Sequence, residues 1–370
     1  MPFKRLISSV IIVLYAYIYV IGQATANKSL IAASILFAAI SVIITPPKGR
    51  YKYLLIGGVL IFSLLTLLLN HTYPTERLVF NILYFAVNIL LCFSISSRRE
   101  MIPFILRWCI VGLMGLIIVC FFISLSKSMH IYAYMDIILK GFSYNYISGL
   151  LLLSSTLYFA YYQKLNLPVK YGKTIIVLIV LFCFMLYGRS GIIFSLLLAL
   201  GYFKNYLAPK HGHRVFTIIV CGVLISAFIG YHLSVLYDVV ENSKFKEGLQ
   251  SPRIVMLNEY FSSLNFKTLI MGVDITKLPT IASYNINPHN SYLNFHAMFG
   301  ILALVVITFI LLSMFNLLFI DFGVFIFLAV YIGRGFLDTI ILPGVFDFIF
   351  FAILFTRLSL YHVPVSVKDN

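Results

Sequence analysis

Apolar stretches of about 17–25 residues, the length needed to cross a hydrocarbon core of roughly 30 Å, recur along almost the whole chain. Inside a bilayer each backbone N–H and C=O must find its partner within the protein, so runs of this kind are expected as helices. Composition agrees: 61% of the residues are hydrophobic and only 11% are charged, far from the balance of a soluble domain. The fold expected is an all-α polytopic integral membrane protein. The net charge of +15 does not call for a nucleic-acid partner, because the basic residues are scattered over many short connections, a topological pattern. The five cysteines all lie in apolar runs without a CxxC spacing and read as small buried hydrophobes.

In chain order the expected spans are Leu6–Ile21, Leu30–Thr45, Tyr53–Leu69, Leu78–Ile95, Met101–Ile123, Ile147–Tyr162, Thr174–Tyr187, Gly191–Phe203, Val215–Leu236, Ser291–Phe319, Phe322–Ile332 and Val345–Tyr361. The first follows a basic head, Lys4-Arg5, and precedes the small residues Gln23-Ala24-Thr25-Ala26, as in a signal peptide; with a second span starting at once, an uncleaved first helix is expected. The connections carrying Lys48/Arg50/Lys52, Arg98/Arg99, Lys164/Lys170/Lys173 and Lys204/Lys210/Arg214 fall on one side together with Lys4 and Arg5. The positive-inside rule then puts both termini in the cytoplasm.

The exception to this apolar pattern is the interval between residues 237 and 290. Roughly fifty predominantly polar residues cannot sit in hydrocarbon, so they form a domain at one membrane face. Three regions result: helices in 1–236, a large loop over 237–290, and further helices with a tail in 291–370. On the expected topology the large loop faces outward, where no ATP or sugar nucleotide is available. An enzyme there must use a substrate already activated, and lipid-linked pyrophosphates are the usual form.

Three residues fit that need. Arg189, in Tyr187-Gly188-Arg189-Ser190-Gly191, sits where two spans meet the outer interface, a costly position for an arginine without an anion or carboxylate partner. Its planar fork suits phosphate oxygens. Arg253 opens an amphipathic stretch in the loop. His289, in Asn287-Pro288-His289-Asn290-Ser291-Tyr292, carries a side chain of the type suited to act as general base toward a hydroxyl. Taken singly each has a plainer reading: headgroup snorkelling for Arg189, a solvated helix start for Arg253, a helix cap for His289.

Together they resemble the superfamily of O-antigen ligases and Wzy-type O-antigen polymerases. The resemblance covers about twelve spans with both termini inside and a large loop between helices nine and ten. It also covers His289-Asn290 followed after nine residues by Gly300, Arg253 with Leu257 in an Arg-x3-Leu element, and Arg189 at the outer end of span seven. Ala303 stands where ligases usually carry Gly, Thr or Tyr, which favours the polymerase branch.

The resemblance implies a GT-C-like, inverting, metal-independent glycosyltransferase of the bacterial inner membrane, with no cofactor and a periplasmic site. Its donor would be an oligosaccharide on undecaprenyl pyrophosphate and its acceptor another lipid-linked repeat unit, or lipid A core in a ligase. Membrane lipids, a chain-length regulator and a flippase are further partners it suggests. His289 would be the catalytic base, and Arg189 and Arg253 the pyrophosphate-binding pair. Asn290 would orient the histidine and Tyr292 would stack on sugar; Glu259 and Asp274, like Glu247, read as solubilising or acceptor-contacting loop residues.

The remaining polar residues read more plainly. Arg334 and Asp338, four apart, are expected to pair with each other. His296 is expected to pack in the core, Arg107 and Arg357 to serve packing or lipid contact, and His211 and His213 to lie in the cytoplasm. A flippase for the same lipid-linked unit is the competing reading from another class. The concentration of polar sequence in one loop, with few charges inside the spans, argues against it.

Overall fold

The structure, a computed structural model, describes residues 1–47, 52–70, 73–96, 98, 100–139, 144–207 and 252–355. The expected span Val215–Leu236, loop residues 237–251 with Glu247, Lys210, His211, His213, Arg214, Lys48, Arg50, Arg99, Arg357 and the end of the expected last span lie outside the described residues. The regular secondary structure among the described residues is all helical, with no strand. The helices are α1 (Phe3–Ala24), α2 (Lys28–Ile44), α3 (Lys52–Leu69), α4 (Thr75–Ser96), α5 (Met101–Ser126), α6 (Ile131–Ile138), α7 (Tyr144–Lys164), α8 (Gly172–Met185) and α9 (Arg189–Leu207). After the undescribed segment come α10 (Pro252–Ser262), α11 (Phe266–Met271), α12 (Pro279–Ser283), α13 (Ser291–Phe299), α14 (Ile301–Ile320), α15 (Phe322–Gly335) and α16 (Asp347–Phe355). Four stretches, Phe3–Ala24, Glu76–Ser96, Met101–Ser126 and Ile301–Ile320, are long and apolar enough to cross a membrane. Lys28–Ile44, Tyr53–Leu69, Gly172–Met185 and Phe322–Gly335 are shorter apolar helices. Within the stretches expected as loops, 131–138 and much of 252–283 are helical as well.

The bundle is built around α7. Its residues Tyr146–Tyr161 are all buried, and α5, α9 and α15 pack against it. A helix enclosed on every side needs no continuous apolar surface, and α7 carries Ser148, Ser154, Ser155 and Thr156. Ser148 and Ser154 satisfy their hydroxyls by donating to the carbonyls three residues back, Asn145 at 2.9 Å and Leu151 at 3.1 Å. The first two helices form a hairpin whose turn residue Asn27 caps α2, accepting from the N–H groups of Ser29 and Leu30. At the far end of that hairpin Ser8, Ser41, Thr45 and Ser94 make a buried hydroxyl seam closed by the Arg98 guanidinium. Asp321 behaves as the expected turn, its carboxylate accepting from Val324 N–H at 3.0 Å to start α15.

The expected single span Ser291–Phe319 is divided. Gly300 adopts φ +53° and separates the short, buried α13 from the long α14. A Cβ at Gly300 would collide with the Ile270 carbonyl oxygen, and one at Gly272, φ +90°, with that of Ala297. The two glycines therefore allow α11 to lie against the end of α13 with backbone touching backbone. Asn70 donates to the carbonyls of Ala297 and Met298, at 2.9 and 2.6 Å, satisfying acceptors that the helix break leaves open. Gly300→Ala should lower stability by about 1–3 kcal/mol or more, the cost of a left-handed non-glycine residue together with the steric clash. Gly115→Ala, which meets no atom within 4 Å, should have little effect. Thermal unfolding of the two purified variants checks this; equal melting temperatures would contradict it.

Candidate active site

The turn before α13 is held in an uncommon backbone conformation. Asn285, Ile286 and His289 all have positive φ, at 57°, 59° and 48°. Such conformations persist only where the surroundings enforce them. Here the enforcing group is Asn287, whose side-chain oxygen accepts from His289 N–H at 2.9 Å and from the Thr339 hydroxyl at 3.0 Å. Asn290 caps α13 by accepting from Tyr292 and Leu293 N–H, and its amide donates to the Phe336 carbonyl at 3.3 Å. The Ser291 hydroxyl donates to the Asp338 carbonyl at 2.6 Å and accepts from Ile340 and Ile341 N–H. Three polar side chains, Asn287, Asn290 and Ser291, thus bolt the histidine turn to the connection between α15 and α16.

That connection carries Asp338. Its carboxylate lies 3.7 Å from His289 Nδ1 and 3.2 Å from a terminal nitrogen of Arg334. Arg334 is fully buried and also donates to the Asn145 carbonyl at the start of α7, at 3.1 Å. Its guanidinium has room there because residue 149 is glycine: a Cβ would stand 3.2 Å from the same nitrogen. Burial by itself would push the Asp338 carboxyl up; His289, Arg334 and the charge of Arg253 outweigh it and hold the group below its ordinary 3.8. The Asp338 carboxylate is therefore ionised at neutral pH beside the imidazole. The contact with His289 is longer than a hydrogen bond, as catalytic contacts often are before substrate arrives. A carboxylate in that position favours a proton on Nδ1 and leaves Nε2 unprotonated, the arrangement a general base needs.

The two predicted arginines relate to this cluster differently. Arg253, in the first turn of α10, acts electrostatically on Asp338. Arg189 is the first residue of α9, preceded by Tyr187 at φ 55° and by Gly188, whose Cα abuts the Asn145 side chain. The backbone one residue before Arg189 thus lies against Asn145, whose carbonyl takes the Arg334 hydrogen bond. Both arginines are half-buried.

His289 opens onto a cavity of about 1140 Å³ bounded by the α1–α2 turn, the start of α4, α6, Tyr146 and residues 283–289. The Tyr284 ring meets the imidazole edge-on at 5.8 Å between centroids. Searches against protein-family models, curated proteins and solved structures found no match.

Other expected site residues take structural positions. Asn290 caps a helix and ties it to the Phe336 carbonyl. Tyr292 donates its hydroxyl to the Ile332 carbonyl and packs its ring on Phe336 at 4.4 Å, so it lines no part of the cavity. Glu259 accepts from the N–H and hydroxyl of Thr280 and so ties α10 to α12. Asp274 caps the turn at residues 275–277 and pairs with Lys277 at 3.1 Å. Burial would raise its carboxyl, but Thr276 and Lys277 hold it low. His296 is buried as expected, accepting at Nδ1 from the Tyr260 hydroxyl at 2.7 Å while Nε2 donates to the Leu269 carbonyl at 3.1 Å. Among the described residues no cluster of histidine, cysteine and carboxylate side chains has the makings of a metal site.

Asp338, Asn287 and Ser291 hold or face the histidine turn, a part that sequence reasoning passed over. Arg334 and Asp338 do pair as expected, but the carboxylate also serves the histidine. The pairing has a stability consequence with a definite sign. Because the Asp338 carboxyl is lowered in the folded protein, its stabilising contribution is present above its ordinary value of 3.8 and is lost as the pH falls through the lower folded value. Asp338→Ala should cost about 3–5 kcal/mol at neutral pH, since it strands the Arg334 charge in the interior. Arg334→Met with Asp338→Leu should recover most of that loss. Denaturation at pH 7 measures both, and a single variant as stable as the starting protein would refute the pairing's role.

Proposed function

We propose that the chain is a surface-polysaccharide polymerase, an inverting glycosyltransferase that moves a glycan from undecaprenyl pyrophosphate to a sugar hydroxyl of another lipid-linked repeat unit. The observation that carries the reading is His289 at the mouth of a large cavity with the Asp338 carboxylate behind its Nδ1. His289 Nε2 takes the acceptor proton as that oxygen attacks the anomeric carbon. The new glycosidic bond forms as the bond to the pyrophosphate oxygen breaks from the opposite face, which inverts the centre. Arg189 and Arg253 balance the charge gathering on the departing pyrophosphate, the principal electrostatic demand of such a transition state. Asp338 keeps the imidazole in the correct tautomer and stabilises the imidazolium that forms.

On this reading the protein has about twelve spans in a GT-C-like arrangement, lies in a bacterial inner membrane with both termini cytoplasmic, and works at the periplasmic face. It needs no metal or cofactor, because guanidinium groups take the place of a cation. A ligase that uses lipid A core as acceptor would share the same chemistry. The apolar helices support membrane residence, and the His289–Asp338–Arg334 cluster has a purpose in catalysis that a flippase would not give it.

The test is a lipopolysaccharide gel of cells lacking the chain, complemented with the unaltered gene or with His289→Ala. Removing a general base should slow transfer by about 10²–10⁴-fold. The ladder should collapse to core plus one repeat unit with His289→Ala and return with the unaltered gene. Loss of every repeat from the core would instead identify a ligase, and an intact ladder with His289→Ala would refute the general-base assignment.

A further inference from the structure

His296 lies seven residues beyond His289 and takes no part in the chemistry assigned to that residue. It is buried on α13, and both of its ring nitrogens are bonded to the loop helices. Nε2–H donates to the Leu269 carbonyl of α11 at 3.1 Å. That bond fixes the tautomer and leaves Nδ1 as the acceptor for the Tyr260 hydroxyl of α10, at 2.7 Å. The Tyr260 and His296 rings meet edge to face, 6.0 Å between centroids. α11 has a second hold on α13, since Gly272 and Gly300 bring backbone against backbone there. α10 is seated through side chains: Met256 and Tyr260 are its two buried residues, and Tyr260 carries the hydrogen bond. The Glu259–Thr280 bonds tie α10 to α12, which is also in the loop, and leave its place on α13 open.

We infer that His296 is a positioning residue: through the Tyr260 hydroxyl it fixes how α10 sits on α13, and so where the Arg253 guanidinium stands relative to the Asp338 carboxylate. The catalytic consequence rests on the transferase reading; the placement of α10 does not. Arg253 precedes Tyr260 by seven residues, two helical turns, or about 10 Å along the axis. Residues at spacings of three and seven share a helix face, so Arg253, Met256 and Tyr260 form the inward stripe of α10. The helix between them is a rigid lever. A slip of one residue at Tyr260 would turn Arg253 by roughly 100° about the axis. Arg253 acts by its charge on Asp338, and the Asp338 carboxylate lies 3.7 Å from His289 Nδ1. The contacts therefore run from His296 to Tyr260, along α10 to Arg253, and through Asp338 to His289.

The two arms of His296 can be cut separately. Asparagine puts its side-chain oxygen near the place of Nδ1 and can take the Tyr260 hydroxyl, whereas glutamine puts its amide near Nε2 and can serve Leu269. In the full chain in lipid nanodiscs, nitroxides at exposed Val255 on α10 and exposed Val79 on α4 report the seat of α10 by pulsed electron resonance. The distance distribution should stay narrow with His296→Asn, and should broaden or shift with His296→Gln and with Tyr260→Phe. In a transfer assay Tyr260→Phe should lower kcat about tenfold, the rate equivalent of one hydrogen bond. His296→Gln should fall alike, and His296→Asn should recover most of that loss. Because the effect passes through Arg253, Tyr260→Phe should slow transfer no further in a chain already bearing Arg253→Ala. An α10 distance unmoved by both Tyr260→Phe and His296→Gln, or a rate loss that multiplies with that of Arg253→Ala, would overturn the assignment. Distances that change as described in a protein that transfers nothing from a lipid pyrophosphate would sink the polymerase reading and leave the placement of α10 by His296 standing.

Discussion

The arrangement depends on a guanidinium buried in the helical bundle. Arg334 is wholly inaccessible, and among the described residues two of its nitrogens find no hydrogen-bond partner. Desolvating that charge is expensive unless a carboxylate stands against it. Asp338 meets the demand, and to do so the connection after α15 must fold back on α7, where Gly149 leaves space for the side chain. Once the carboxylate is fixed, its second oxygen is available to His289. The histidine turn is then fastened to the same connection through Asn287, Asn290 and Ser291. The Arg334 charge and His289 thus share one carboxylate.

Much of the helical content was readable from apolar run length alone. The long spans on α1, α4 and α5 fall within a few residues of their expected limits, because a continuous apolar run of that length has no other way to satisfy its backbone. The division at Gly300 was not readable. Residues 291–319 read as unbroken apolar sequence, and the reason for the break lies in a backbone contact from Ile270 and Gly272, remote in sequence. The helices within the loop are short and held by local side chains such as Asn265, which caps α11, rather than by an apolar stripe.

The site was legible in part. Arg253 acts by its charge on the carboxylate that faces His289, and the spacing that singles out Gly300 has a physical cause in the helix break. Asp338 was visible only as an i,i+4 partner of Arg334, since sequence spacing shows the neighbour on the same helix and not the one across the fold. Asn290 and Tyr292 lie beside the histidine in sequence but serve the helix cap and the packing against Phe336. The cavity wall from α1, α2 and α4 had no sequence signature, because isolated Gln23 and Asn81 look like ordinary interfacial residues.

The central claim is that Asp338 holds His289 with its proton on Nδ1 and its Nε2 unprotonated toward the cavity. The most direct measurement is the ¹⁵N chemical shifts of the His289 ring in labelled protein in lipid nanodiscs, compared with Asp338→Asn. The account predicts a protonated Nδ1 and an unprotonated Nε2 at neutral pH, with the tautomer changing when the carboxylate is replaced. An Nε2-protonated ring in the unaltered protein, or shifts indifferent to Asp338→Asn, would contradict it.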